Sequence, residues 1–179
     1  MRFFFFALAL LTTLLLPPQK TVAAFEDAKD FSGTYSGEFI LSRMPDFVAT
    51  PEGGTDWQVF GATKEIAYSE EDKSGYERSG VRPEFQDELR KLDGQNIVVR
   101  GFMFPMDQSE QQSVFLLGPF PLTCPYHYHV SNNLIIETRA KKPVAFSYDA
   151  ITLRGRLELV EKDDEYNTFY RLHDAELAK

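Results

Sequence analysis

The chain has 179 residues and is acidic, with 27 Asp and Glu residues against 19 Lys and Arg residues and a formal net charge of −8 at pH 7. This balance argues against a nucleic-acid-binding protein, because phosphates need a basic surface, and against attachment to anionic membrane surfaces. The single cysteine, Cys124, excludes an intrachain disulfide.

The first 24 residues have the pattern of a secretory signal peptide. Arg2 precedes an apolar run at residues 3–16, and the small residues at 22–24 predict cleavage before Phe25. The run is shorter than the ~20 residues that a membrane-spanning helix needs. Removal of residues 1–24 leaves 17 basic residues against 27 acidic ones, a net charge of −10. We therefore expect a periplasmic or secreted protein without stable membrane insertion after cleavage.

The segment after the cleavage site is predicted to be an N-terminal extension, residues 25–56. Within it we expect an edge strand in residues 31–44 and a loop in residues 45–56, which contain two prolines and a Gly-Gly pair. The apolar positions of residues 57–68 favour a strand over a helix. Residues 69–80 are charged and contain almost no aliphatic side chains, so they predict a surface loop.

A short helix is predicted from about Pro83 to Leu92, before the first strand of the second half. Pro83 suits the first helical turn. Phe85, Leu89 and Leu92 fall at i, i+4 and i+7 and form one apolar stripe. Gly94 is a natural C-terminal cap.

The second half of the chain consists almost entirely of predicted strands. The five strands are expected at residues 96–104, 113–117, 134–138, 150–161 and 168–172. Gly101 and Gly155 are the expected bends. Several short strands with regular turn residues predict a sandwich or small barrel, which we place at residues 57–179.

Four features of this half resemble a bacterial family of exported domains of unknown function, family 3299. They are Leu92 with Gly94, the strand end Gly101-Phe102-Met103-Phe104-Pro105, the strand Phe115-Leu116-Leu117, and Cys124 with His127 followed by Asn132 or Asn133. The resemblance implies a mainly β fold, an OB-like five-stranded Greek-key barrel with one short helix before the first barrel strand. Genes of this family often lie beside transporter genes, so it also implies envelope transporter components as partners.

The sharpest candidate site contains Cys124, His127 and His129. Thiolate and imidazole groups are ligands that suit Zn²⁺ or Cu⁺, so these residues are the candidate metal ligands. Met103 and Met106 are secondary candidates that add thioethers for copper. The alternative is a structural loop of aromatic and histidine residues, because closed zinc sites normally have four ligands.

Three functional hypotheses follow from these patterns. The first is a non-enzymatic accessory or binding module of an envelope transport or metal-handling system, with residues 120–133 as its contact loop. The second is a thiol-based enzyme with Cys124 as nucleophile and His127 as base. The third is a purely structural protein-interaction domain. His173 and Asp174 are interpreted as an ordinary strand-end pair, and the sequence contains no phosphate loop, dinucleotide fingerprint or hydrolase motif.

Overall fold

The computed structural model describes residues 37–71, 73–121, 131–163 and 166–178. Its helices are α1 (Gly37–Arg43), α2 (Trp57–Gly61) and α3 (Asp87–Arg90), and its strands are β1 (Lys64–Glu71), β2 (Glu77–Glu84), β3 (Asn96–Pro105), β4 (Gln111–Gly118), β5 (Ile136–Ala145), β6 (Ile151–Leu159) and β7 (Tyr170–Leu177). Single 3₁₀ turns lie at Met44–Asp46 and Asn132–Leu134. The predicted signal peptide lies outside the described residues.

Five of the strands form a closed barrel in the order β3-β4-β5-β7-β6, with β6 pairing back onto β3. All neighbours are antiparallel except β5 and β7, which are parallel. Numbered within the barrel, this order is 1-2-3-5-4, the arrangement of an OB-like barrel. The predicted mainly β, five-stranded OB-like fold is confirmed, and α3 is the short helix before the first barrel strand.

The barrel interior follows from the period-2 alternation of its strands. In β3, for example, Ile97, Val99, Gly101 and Met103 are buried, and the residues that alternate with them are more exposed. Gly101 lies at a close approach of two strands, because a Cβ there would lie 2.8 Å from the Gly118 carbonyl oxygen. Only glycine fits this approach without displacing backbone.

Helix α2 closes one side of the core against β3 and β7. The Asp56 side chain accepts a hydrogen bond from the Gln58 N–H at 2.8 Å, which caps the first turn. The Trp57 indole donates to the Arg100 carbonyl at 2.6 Å. Phe60 is fully buried and packs edge-on against the Tyr170 ring at 5.1 Å. This helix anchors the segment before the barrel to two of its strands.

The N-terminal part of the chain shows where prediction from sequence was wrong. Residues 37–43 form helix α1 and not an edge strand, because Ile40 and Met44, four residues apart, point together into the core. Residues 57–61 form α2 and not the start of a strand. Both helices are too short to show a clear period in the sequence.

The strands β1 and β2 form a separate two-stranded antiparallel hairpin. It occupies most of the predicted loop at 69–80, and β2 includes Pro83, so the predicted helix at 83–92 is shortened to Asp87–Arg90. The hairpin is largely exposed and carries cross-strand ion pairs, such as Lys64 Nζ to Glu84 Oε1 at 2.6 Å. Within the part of the chain that the structure describes, no helix is long and apolar enough to cross a membrane.

Candidate functional site

The structure describes the two secondary metal-ligand candidates from the sequence but not the three main ones. Cys124, His127 and His129 lie outside the described residues. Met103 is 1% exposed inside the barrel, whereas Met106 is 54% exposed beyond the end of β3. Across residues 37–71, 73–121, 131–163 and 166–178, no group of three or more His, Cys, Asp or Glu residues is placed to hold a metal ion. The metal site remains a prediction.

The structure instead presents a groove of about 440 Å³ on the outer face of β4, β5 and β7. We call it the outer groove. Val114 and Leu116 of β4 and Ile135 form its apolar part. Met106, after β3, and Tyr166, before β7, also contribute to its lining. The groove therefore combines three barrel strands with the connections on either side of them.

Strand register explains why these side chains meet. Leu116 on β4 is opposite Glu137 on β5, and Glu137 is opposite Arg171 on β7. Val114 is likewise opposite Arg139. Their sequence neighbours alternate into the barrel, so this row of residues faces outward. Leu116, Glu137 and Arg171 thus form a row of one aliphatic side chain, one acid and one base across three strands.

Glu137 is the centre of a partly buried ion-pair network. Its side chain is only 10% exposed, and its two oxygens accept from Arg139 Nε at 2.7 Å and from Arg171 Nε at 3.3 Å. Arg171 also donates to Asp163 Oδ2 at 2.9 Å, and the Asp163 side chain is 8% exposed. The two acids and two bases balance in charge, so the network fixes geometry without giving the groove a net charge.

The connection from β6 to β7 is held by Asp163. Its Oδ1 accepts from the Tyr166 N–H at 3.2 Å, and its backbone carbonyl accepts from the Asn167 N–H at 3.3 Å. Asn167 has a φ of 53°, a left-handed conformation that Asn tolerates better than most residues. These bonds place Tyr166 and Asn167 at the edge of the outer groove.

The turn from β3 to β4 is ordered by a buried amide. Gln112 is 0% exposed, and its Nε2 donates to Asp107 Oδ1 at 2.9 Å and to the Ser109 carbonyl at 2.6 Å. The Ser109 N–H, which donates to the Asp107 carboxylate at 2.8 Å, lowers the pKa of that carboxyl. The turn is thereby fixed next to Met106, which borders the groove.

His173 does not pair with Asp174, the partner that the sequence suggested. Its Nε2 lies 2.5 Å from Glu158 Oε2 on the adjacent strand β6. Asp174 is exposed and has a φ of 52°. His173 thus belongs to a cross-strand pair that supports the barrel wall, and neither residue of the pair lines the outer groove.

Sequence reasoning missed the charged residues of the outer groove. The signal that was available is the pair Glu137 and Arg139, two charges on alternate positions of one strand. Such alternation normally indicates a solvated face. Only the parallel pairing of β5 with β7, which brings Arg171 beside Glu137, distinguishes this face from an ordinary one.

Comparisons with known proteins place the chain in a family whose function is unknown. No curated protein matches it. The crystal structure of a DUF3299 family protein from Pseudomonas aeruginosa PAO1 is similar at 20% sequence identity and a TM-score of 0.41, and the match covers 54% of this chain and 68% of that one. The family model described as "Protein of unknown function (DUF3299)" matches residues 49–179, well over half of the chain. The chain therefore belongs to the DUF3299 family.

Proposed function

We propose that this protein is a non-enzymatic, exported binding module that serves an envelope transport system, and that the outer groove is its contact surface. The observation that carries the proposal is a concentration of exposed apolar side chains beside a fixed ion-pair network. Seven large apolar side chains are exposed among the described residues, and three of them line this groove, Met106 at 54%, Val114 at 40% and Tyr166 at 65%. Scattered exposed apolar residues need no explanation, but a cluster of them indicates an interaction site.

The size and position of the groove also support a binding role. A volume of about 440 Å³ falls within the ~300–1,000 Å³ of small-ligand sites. OB folds commonly bind ligands on the face of their second and third strands, between the loops that follow strands one and four. Here those strands are β4 and β5, and the two loops contribute Met106 and Tyr166. The likeness to other OB folds is one of fold alone.

The chemistry of the groove favours binding over catalysis. Glu137 and Asp163 already accept hydrogen bonds at both carboxylate oxygens, so neither is a free general base. The alternative of a thiol enzyme rests on Cys124 and His127, which lie outside the described residues. Export is supported by the signal-peptide pattern of residues 1–24.

The proposal is tested by mapping ligand contacts on the mature protein. Methyl groups of Val, Leu and Ile are labelled, and their NMR shifts are followed while a mixed library of small amphipathic fragments and short peptides is added. We expect shifts to concentrate at Val114, Leu116 and Ile135. Leu177, which is 61% exposed but lies outside the outer groove, serves as the reference methyl.

A matched pair of variants gives the control. Val114→Glu places a charge on the apolar part of the groove and should abolish the shifts, whereas Leu177→Glu makes the same change at another exposed strand position and should leave them intact. The proposal fails if no fragment or peptide moves the groove methyls, or if the responses are spread evenly over the surface.

A further inference from the structure

In the outer groove the carboxylate acceptors have hydrogen-bond partners in the protein, whereas some arginine donors have none within the described residues. This difference indicates a class of ligand. The four carboxylate oxygens of Glu137 and Asp163 all accept hydrogen bonds from the protein. Arg171 donates through Nε to Glu137 and through a terminal nitrogen to Asp163. Arg139, in contrast, uses only its Nε within the described residues. Every carboxylate oxygen of Glu137 and Asp163 thus accepts a hydrogen bond from the protein, whereas the terminal nitrogens of Arg139 donate none within the described residues and are left for an anion.

Arg139 is also held in a productive orientation. Its side chain is 51% exposed, and its Nε is fixed at 2.7 Å from the Glu137 carboxylate, which is itself clamped by Arg171. A guanidinium is planar, so a bond at Nε constrains the plane in which the terminal amino groups lie. Those groups form the fork that binds a carboxylate through two parallel hydrogen bonds. Prior orientation lowers the entropy lost on binding.

Two amides among the lining residues suit a peptide as the carrier of the anion. Asn132 and Asn167 are among the lining residues, and neither carboxamide makes a hydrogen bond within the described residues. A carboxamide both donates and accepts, which matches the N–H and C=O groups of a peptide backbone. The apolar surface of Val114, Leu116 and Ile135 beside them suits an aliphatic side chain.

We infer that the outer groove takes an extended, acidic and aliphatic segment of a partner protein, with an Asp or Glu side chain of the segment bound by Arg139. This inference rests on the proposed binding function and names its ligand. The groove lies on the outer face of β4, β5 and β7, where a segment need not enter the barrel interior to bind. The negative net charge of the protein does not oppose this, because charges more than about 8 Å away are largely screened at physiological ionic strength.

The test uses three pools of short peptides, acetylated and amidated so that their ends are uncharged. The pools share degenerate aliphatic flanks and differ at one fixed position, which is Asp, Asn or Lys. Each pool is titrated against the mature protein while the methyl shifts of Leu116 and Ile135 are followed. We expect the Asp pool to bind about tenfold more tightly than the Asn pool, the lower end for a hydrogen bond to a charged group. The Lys pool should bind more weakly than either.

Variants of Arg139 identify the residue responsible. Arg139→Gln should remove the preference for Asp over Asn, and Arg139→Lys should restore it only in part, because an ammonium lacks the fork. Arg154→Gln is the matched control, since Arg154 is an exposed arginine on β6 that does not line the groove. It should leave the preference unchanged. A cooperative thermal transition of each variant shows that it is folded.

Several results would overturn the inference. If the three pools bind the groove equally, or if Arg139→Gln leaves the Asp preference intact, the acidic segment is excluded and the binding function stands. If only a peptide with a free C-terminal carboxylate binds, the ligand is a chain end and the inference is wrong. If no peptide pool moves the groove methyls but small fragments do, the partner is not a peptide. If nothing moves them, the proposed function fails as well.

Discussion

Replacement of Tyr170 by Phe should destabilise the protein at neutral pH. Tyr170 is 0% exposed, and its hydroxyl lies 2.9 Å from the Phe60 carbonyl oxygen and 2.7 Å from Thr63 Oγ1. Without that hydroxyl, the buried Thr63 hydroxyl has lost its partner, while the Phe60 carbonyl still accepts from the Thr63 N–H at 3.0 Å. With one group orphaned and one partly satisfied, we expect a loss of about 1–2 kcal/mol in the free energy of unfolding. For a chain of this length, each kcal/mol lost lowers the Tm by roughly 2–4 °C.

The same hydroxyl predicts how this loss changes with pH. Burial raises the pKa of Tyr170 above its ordinary value near 10. Its contribution to stability is therefore complete below pH ~10 and is lost above it, because the unfolded chain releases the proton first. The wild-type protein should lose up to ~1.4 kcal/mol per pH unit from this group, and the Phe variant should not. The difference between the two proteins should close within about one to two pH units above 10.

The assay is urea unfolding of both proteins at pH 7.5, 10 and 11, read as midpoints with unchanged slopes. All other groups that titrate at alkaline pH are shared, so they cancel in the difference. Tyr148→Phe is the control, because Tyr148 is 72% exposed and should show no difference at any pH. A wild-type advantage that stays constant from pH 7.5 to 11, or no advantage at pH 7.5, would refute the reasoning.

Three further changes have defined outcomes. Glu137→Gln should lower the free energy of unfolding by about 1–3 kcal/mol. This loss is smaller than for a fully buried pair, because the Arg171 side chain is 20% exposed. An unchanged urea midpoint would contradict the prediction. Gly155→Ala should lower the free energy of unfolding by about 1–3 kcal/mol, because a Cβ there would lie 2.8 Å from the His173 carbonyl oxygen. A variant as stable as the wild type would show that the barrel strands shift to accommodate the methyl group. Zn²⁺ or Cu⁺ should raise the Tm of the mature protein but not that of a Cys124→Ala, His127→Ala variant, and equal behaviour of the two proteins would rule out the predicted metal site.

The barrel was predictable because its strands carry long, one-sided patterns. Strand β3 alternates between buried and more exposed positions from Asn96 to Phe104, and the centre of β6 does so from Leu153 to Leu157. The elements before the barrel lack such patterns. Helix α2 has only five residues, and its clearest signal was the capping Asp56 before Trp57. The hairpin of β1 and β2 is charged on both faces, so nothing in its sequence separates it from a loop.

The outer groove was not predictable because it depends on contacts between distant segments. Glu137 and Arg171 are separated by 34 residues in the chain and become neighbours through the parallel pairing of β5 with β7. Asp163 joins them from the connection between β6 and β7. An alternating charge on one strand does not reveal which charge will lie beside it on the next. The groove could be recognised only after the strand order was known.

The position of β7 has a consequence for how quickly the protein reaches its native state. This strand follows the other four barrel strands in the chain and pairs with both β5 and β6, so it supplies the last two ladders. Until it docks, β5 and β6 each expose an unpaired edge that can join another chain. Folding through such non-local pairing is slow, on the order of milliseconds to seconds. Substitutions that weaken β7 should therefore reduce the refolding yield at high protein concentration more than substitutions of equal cost in β3.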